Sequence, residues 1–131
     1  MPLDSKAKGA RYERELAAYF RDKGYDTHRT AQYCGNTGDA ADICGLPFVH
    51  LEAKHQETLR LSDWVAQAVR DSDGTGKIPA VFHRKNNEKT LVTMRLDDWM
   101  KLYKRYELVE RIKEKGSYVE AGPWEKNRGT E

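Results

Sequence analysis

The stretch GDAADICGLPFVHLEAKH, residues 38–55, reads as strand, turn and strand. From Phe48 to His55 the residues alternate: Val49, Leu51 and Ala53 face a core, and His50, Glu52 and Lys54 face the other way. Successive residues on one face stand about 6.6 Å apart, so the carboxylate of Glu52 and the ammonium of Lys54 can serve one reacting centre. Ahead of them, Ala41-Asp42-Ile43-Cys44 is a short apolar run carrying Asp42, and Gly45-Leu46-Pro47 supplies the turn. The hairpin brings Asp42 and Glu52 together. Like charges held close raise one another's pKa unless a cation sits between them, and oxygen ligands with an open coordination sphere suit magnesium, with manganese a ready substitute. Metal-assisted hydrolysis is the chemistry that follows.

At 131 residues the chain is long enough for one domain with a real core and a single active site. Residues 1–115 are read as that domain and 116–131, poor in apolar residues, as a loosely held tail. Charged residues make up 34 % of the chain and hydrophobic ones 38 %, at a net charge of +2, which excludes a basic tail or coat protein. An enzyme acting on DNA must therefore segregate its charge. No apolar run is long enough to span a bilayer and no signal-peptide pattern opens the chain, so no membrane partner and a cytoplasmic location are expected, host cytoplasm if the source is viral. Cys34 and Cys44 lack C-x-x-C spacing and are read as free thiols. The glycines of residues 71–77 form no G-x-x-x-x-G-K-[ST] cradle, so no nucleotide cofactor is expected.

Working outward, the first helix runs from Ser5 or Lys6 to Lys23, with Gly24 as its stop. Its apolar stripe is Leu16, Ala17 and Phe20, and counting back three or four residues puts Glu13 on the same face. Either Glu13 reaches water at the end of the stripe, or it aims a third carboxylate at the site. Tyr25 to Tyr33 reads as an edge strand, and residues 34–39 as a glycine-rich loop whose Asp39 suits a turn better than a metal. After the E-x-K strand, Ser62 is expected to N-cap a helix reaching Asp71, with a core stripe of Val65, Ala68 and Val69 bordered by Gln67. Strands over 80–85 and 90–96 follow, then a helix capped by Asp97. There Trp99, Leu102, Tyr103 and Tyr106 fall at core spacing, while Lys101, Lys104, Arg105, Arg111, Lys113 and Lys115 point to water. Lys6, Lys8 and Arg11 lie near Glu13, and Arg29, His55 and Arg84 are placed at the rim of the site; these are the basic residues expected to meet the phosphates of an anionic substrate. His50 and His55 flank the acid and the lysine and are read as orienting or packing residues, since a hard cation prefers oxygen.

Asp42, a ten-residue gap and Glu52-Ala53-Lys54 resemble the D…(D/E)-x-K pattern of the PD-(D/E)XK nuclease superfamily, with Ala41 where proline is usual. The run KGARYERELAAYFRDKGY resembles the opening helix of the archaeal-type Holliday-junction resolvases, and the element order matches an αβββαβ core. The resemblance covers roughly Lys8 to Tyr106. It implies a restriction-endonuclease-like α/β fold, a mixed central sheet flanked by helices. It implies that Asp42, Glu52, the Ala53 carbonyl and Glu13 hold magnesium, with Glu13 preferred to Glu15. By the same resemblance Lys54 orients the attacking water or steadies charge on the phosphate, Thr37 supplies a hydroxyl and Gln67 stands near the scissile phosphate. The implied activity is a metal-dependent endonuclease that resolves four-way DNA junctions by two symmetric cuts, for which a chain with one site needs a homodimer. A nicking or flap-cutting nuclease, or an inactive DNA-binding module of the same fold, are the competing readings. Recombination, repair and viral debranching of DNA are all compatible with the chain.

Overall fold

The computed structural model describes residues 5–31 and 40–116. The chain divides into two compact units between Met94 and Arg95. The first holds α1 (Ser5–Asp22), β1 (His28–Arg29), β2 (Ile43–Cys44), β3 (Val49–His55), α2 (Leu61–Asp71), β4 (Ile78–Arg84) and β5 (Leu91–Thr93); the second holds α3 (Leu96–Glu114). The strands form one mixed sheet in the order β1-β2-β3-β4-β5, with β3 and β4 parallel and the other neighbours antiparallel. This is the α/β architecture and element order read from the sequence.

Because α2 intervenes between β3 and β4, the two strands run parallel, and a parallel central strand is covered on both faces. On one face α1 packs Tyr12, Leu16 and Ala17 against Ile43, Leu51 and Ala53, with Phe20 and Phe82 alongside. On the other, α2 packs Trp64 and Ala68 against Val81. Register places Leu51 and Ala53 beside Ala80 and Phe82, and Glu52 and Lys54 beside Val81 and His83. The polar face of β3 is therefore enclosed: His50 and Glu52 are each 1 % exposed. Alternation in the sequence correctly sorts the residues into two faces, but it does not reveal that both are covered.

Several boundaries differ from expectation. The edge strand shrinks to His28–Arg29, paired with Cys44 and Ile43. Just before it the chain is tied to α1 instead, through the Thr27 hydroxyl on the Ala17 carbonyl (2.7 Å) and Arg21 on the Thr27 carbonyl (2.7 Å). Helix α2 begins two residues early, with Arg60 at the N-cap and no side-chain cap, so Ser62 sits inside the first turn. Helix α3 likewise starts at Leu96, and Asp97 lies in its first turn without capping it. Cys44 is disulfide-bonded, which corrects its reading as a free thiol; that reading rested on compartment, which carries no geometry. Cys34, Thr37, Asp39 and the tail beyond 116 lie outside the described residues.

Within α3, Trp99, Leu102, Tyr103 and Tyr106 are exposed by 46, 42, 41 and 62 %, which corrects their assignment to a core. Their spacing does place them on one side, with the Trp99 and Tyr103 rings stacked at 5.0 Å, but a shared face is not a covered face. The helix is laced by ion pairs three and four residues apart, Lys101 with Asp98, Arg111 with Glu107 and Lys113 with Glu110. Among the described residues no helix is long and apolar enough to cross a membrane.

The β2–β3 turn depends on a close backbone approach. Gly45 adopts φ +96°, and a methyl group there would run into the Asp26 carbonyl. Gly45→Ala is predicted to destabilise the fold by about 2 kcal/mol or more, read as a lowered midpoint in thermal or urea unfolding.

Candidate active site

The site is assembled from α1, the entry to β2, the second half of β3 and α2. Asp42 is pinned through its backbone first: its N–H donates to the Leu51 carbonyl (2.9 Å) and its carbonyl accepts from the Thr30 N–H (3.0 Å). With the main chain so fixed, its side chain reaches across to β3, where Oδ2 accepts the Ala53 N–H at 2.8 Å. Glu52, the neighbour of Ala53, points to the opposite face of the strand. There its Oε1 meets Nε2 of His50 at 2.8 Å. Glu13 stands on α1 one residue from the buried Tyr12, and its Oε1 accepts Nε–H of Arg29 at 2.7 Å.

Three acids from three elements thus share one arrangement. One oxygen of each is held by a protein donor, and the charges of Glu52 and Glu13 both reach Asp42. Oxygen-rich donor sets of this kind suit a hard divalent ion such as magnesium or manganese. Among the described residues, the group of three whose ligand atoms all lie within 4.8 Å of one another is His50, Glu52 and Asp71; Glu13, Asp42 and Glu52 are more widely spaced as a trio. Asp71, at the end of α2, had no signal in the sequence beyond marking the end of a helix.

A cleft of about 480 Å³ opens beside these acids, lined by Lys8, Gly9 and Glu13 of α1, by Asp42, and by Ala53, Lys54 and His55 of β3. Glu52 is buried and does not line it, but its charge reaches Asp42. Lys54 donates from Nζ to Oε1 of Gln67 at 3.2 Å, which brings the expected glutamine of α2 to the expected lysine. Glu13, Asp42, Ala53 and Lys54 therefore line one cleft, with the buried Glu52 acting on Asp42 and Gln67 bonded to Lys54.

The electrostatics follow from burial. The Asp42 carboxyl is pushed up to about 7, first because it is desolvated, then because the Glu52 charge opposes its ionisation; the Ala53 N–H works against this rise and the Glu13 charge adds to it. Burial, followed by the positive charges of Arg84 and Lys8, holds His55 below the usual histidine value. His55 packs against the Tyr12 ring at 5.4 Å between centroids and is 8 % exposed.

The basic residues sort differently from expectation. Lys8 lines the cleft, and Lys6 and Arg11 are exposed on the same turns of α1. Arg29 is engaged by Glu13 and is half-buried, so its first task is to neutralise that acid. Arg84 pairs with Glu15 at 2.9 Å and lies over the Tyr12 ring, away from the cleft lining. His55, buried and held toward its neutral form, does not offer a cation at the rim. A strand position and a positive charge were readable from sequence; the acid each base answers, 16 or 69 residues away, was not.

A family model described as "Phage putative PDDEXK endonuclease" matches residues 4–121. Among solved structures, the chain is similar to Hjc of Archaeoglobus fulgidus, a Holliday junction resolvase from an archaeal hyperthermophile. The two share 25 % identity and a TM-score of 0.50 over 66 % of this chain and 72 % of that one. No curated protein matches this chain.

Asp42 makes stability depend on pH in a defined sense. Between the ordinary carboxylate value of 3.8 and about 7 the folded state keeps a proton that the unfolded state has lost, so stability falls as pH rises through that window. Each unit of such a shift is worth about 1.4 kcal/mol, and the total reaches a few kcal/mol. In chelator, the unfolding midpoint of the wild type is predicted to fall between pH 4 and pH 7, and Asp42→Asn to flatten that fall. A midpoint that rises with pH over this interval in the wild type contradicts the assignment.

Proposed function

The chain belongs to the phage PDDEXK endonuclease family, and from this premise we propose that it is a divalent-metal-dependent endonuclease that cuts four-way DNA junctions as a homodimer. The observation that carries the nuclease reading is the convergence of Glu13, Asp42 and Lys54 on one cleft, with the buried Glu52 close enough to Asp42 to oppose its ionisation. Magnesium held by Asp42, Glu52, the Ala53 carbonyl and Glu13 would polarise the scissile phosphate and lower the pKa of a water.

The chain's own groups have separable tasks. Asp42 and Glu52 concentrate negative charge that is costly without a cation. Lys54, steadied by Gln67, directs an ammonium group at the attacking water or at charge developing on the phosphate. Lys6, Lys8 and Arg11 bring phosphates to the mouth of the cleft through contacts that are independent of base sequence and sensitive to salt. Arg29 pairs with one oxygen of Glu13, which lines the cleft.

The junction substrate is supported by the likeness to the Archaeoglobus fulgidus resolvase. Two symmetric cuts need two sites, which one chain supplies by pairing with a second copy about a two-fold axis. A nicking or flap-cutting activity uses the same chemistry on another DNA, and the substrate comparison below separates the readings.

A labelled four-way junction in magnesium is expected to yield paired symmetric nicks that a matched linear duplex does not, and chelator abolishes them. Asp42→Asn and Glu52→Gln each lower the rate on the order of a thousandfold, equivalent to about 4 kcal/mol of transition-state stabilisation. Equal cutting of duplex and junction discards the junction substrate; near-full cleavage by Asp42→Asn discards the site. Sedimentation at working concentration is expected to give a dimer, and a monomer that still makes paired cuts contradicts the assembly.

A further inference from the structure

We propose that His50 is a positioning residue for Glu52: its Nε2–H holds one carboxylate oxygen, so that the other is presented to the divalent cation. The inference rests on the nuclease reading above and names a residue outside its set of ligands. His50 and Glu52 lie two residues apart on β3, on the face enclosed by α2, and each is 1 % exposed. Their contact, Nε2 to Oε1 at 2.8 Å, is the hydrogen bond that holds the Glu52 carboxylate. In the Nε2–H tautomer the imidazole donates and the carboxylate oxygen accepts.

The environment makes an imidazole at this position informative. The same face of the sheet carries Val81 packed against Trp64 and Ala68, an apolar layer. A polar ring there is unfavourable unless it is hydrogen-bonded, and Glu52 supplies the bond. Asp71 stands at the end of α2 with a ligand atom within 4.8 Å of those of both His50 and Glu52, so a second carboxylate borders the imidazole from the helix side.

The consequence concerns orientation. A glutamate carboxylate turns about a broad terminal torsion, and three backbone-distant bonds separate it from the strand. With Oε1 tied to His50, that rotation is restrained beside Asp42. Without the donor, the carboxylate is free to turn or to be left buried and unpaired beside the charge of Asp42, and its share of cation binding is lost. Partners that hold a ligand carboxylate in this way affect metal affinity or activity by roughly ten- to a hundredfold when removed.

The test is manganese binding, followed through the paramagnetic resonance of the free ion, together with junction cleavage kinetics. Both use the full chain as wild type, His50→Met and His50→Gln, with folding checked by circular dichroism. His50→Met keeps volume and removes the donor; it is expected to weaken manganese binding roughly ten- to a hundredfold and to lower kcat while the KM for junction DNA stays within about twofold. His50→Gln restores an N–H near the same place and is expected to recover most of the affinity. If His50→Met does not fold, His50→Asn, whose shorter amide falls short of Glu52, takes its place with the same expectation. Wild-type affinity in the donor-less variant overturns the proposal. So does a folded His50→Gln as impaired as His50→Met, because the ring itself would then be a ligand. A wild type that binds no manganese overturns the nuclease reading instead, and the inference with it.

Discussion

Two carboxylates, Asp42 and Glu52, are held beside one another in a partly dry part of the sheet, and the surrounding structure exists to keep them there. The arrangement is set by register. Ile43 pairs with Leu51, the backbone of Asp42 is tied to Leu51 and Thr30, and the Ala53 N–H then takes the Asp42 side chain. A slip of one residue in this hairpin would move Glu52 to the α1 face and separate the acids. The turn that prevents the slip needs Gly45 at a conformation and closeness that a side chain does not tolerate. Charge repulsion and desolvation leave Asp42 far from its ordinary carboxylate behaviour, and such a pair is stable chiefly when a cation relieves it.

Around this pair the protein distributes donors. Ala53 holds Asp42, His50 holds Glu52 and Arg29 holds Glu13, each through one oxygen. The three donors are of different kinds, a backbone amide, a buried imidazole and a guanidinium, yet each orients a carboxylate without consuming it. Lys54 and Gln67 complete the set from the two sides of the β3–α2 packing. The site is thus built on a central strand and on helices packed against it, which favours precise placement over mobility.

The parts of this that were legible in the sequence are the local ones. Alternation over residues 48–55 and the Gly-Leu-Pro turn announce the hairpin, and the stripe of Leu16, Ala17 and Phe20 places Glu13 inward by counting alone. Gln67 is visible as a polar neighbour of Ala68. What was not legible involves contact between distant elements. Nothing in the sequence pairs Arg29 with Glu13 or Arg84 with Glu15, and nothing brings Asp71 to His50, because these depend on how α1 and α2 lie across the sheet. The enclosure of the polar face of β3 follows from its parallel pairing with β4, a tertiary fact. The aromatic side of α3 shows the opposite limit: periodicity identifies a face, and packing alone decides whether it is covered.

The most direct measurement of the central claim is a crystal of the protein grown with manganese, with the ion located by its anomalous scattering. A peak bonded to Asp42 and Glu52 is the predicted result, with Glu13 and the Ala53 carbonyl completing the set. A protein that binds manganese elsewhere, with Asp42 and Glu52 left facing each other without an ion, would contradict the account.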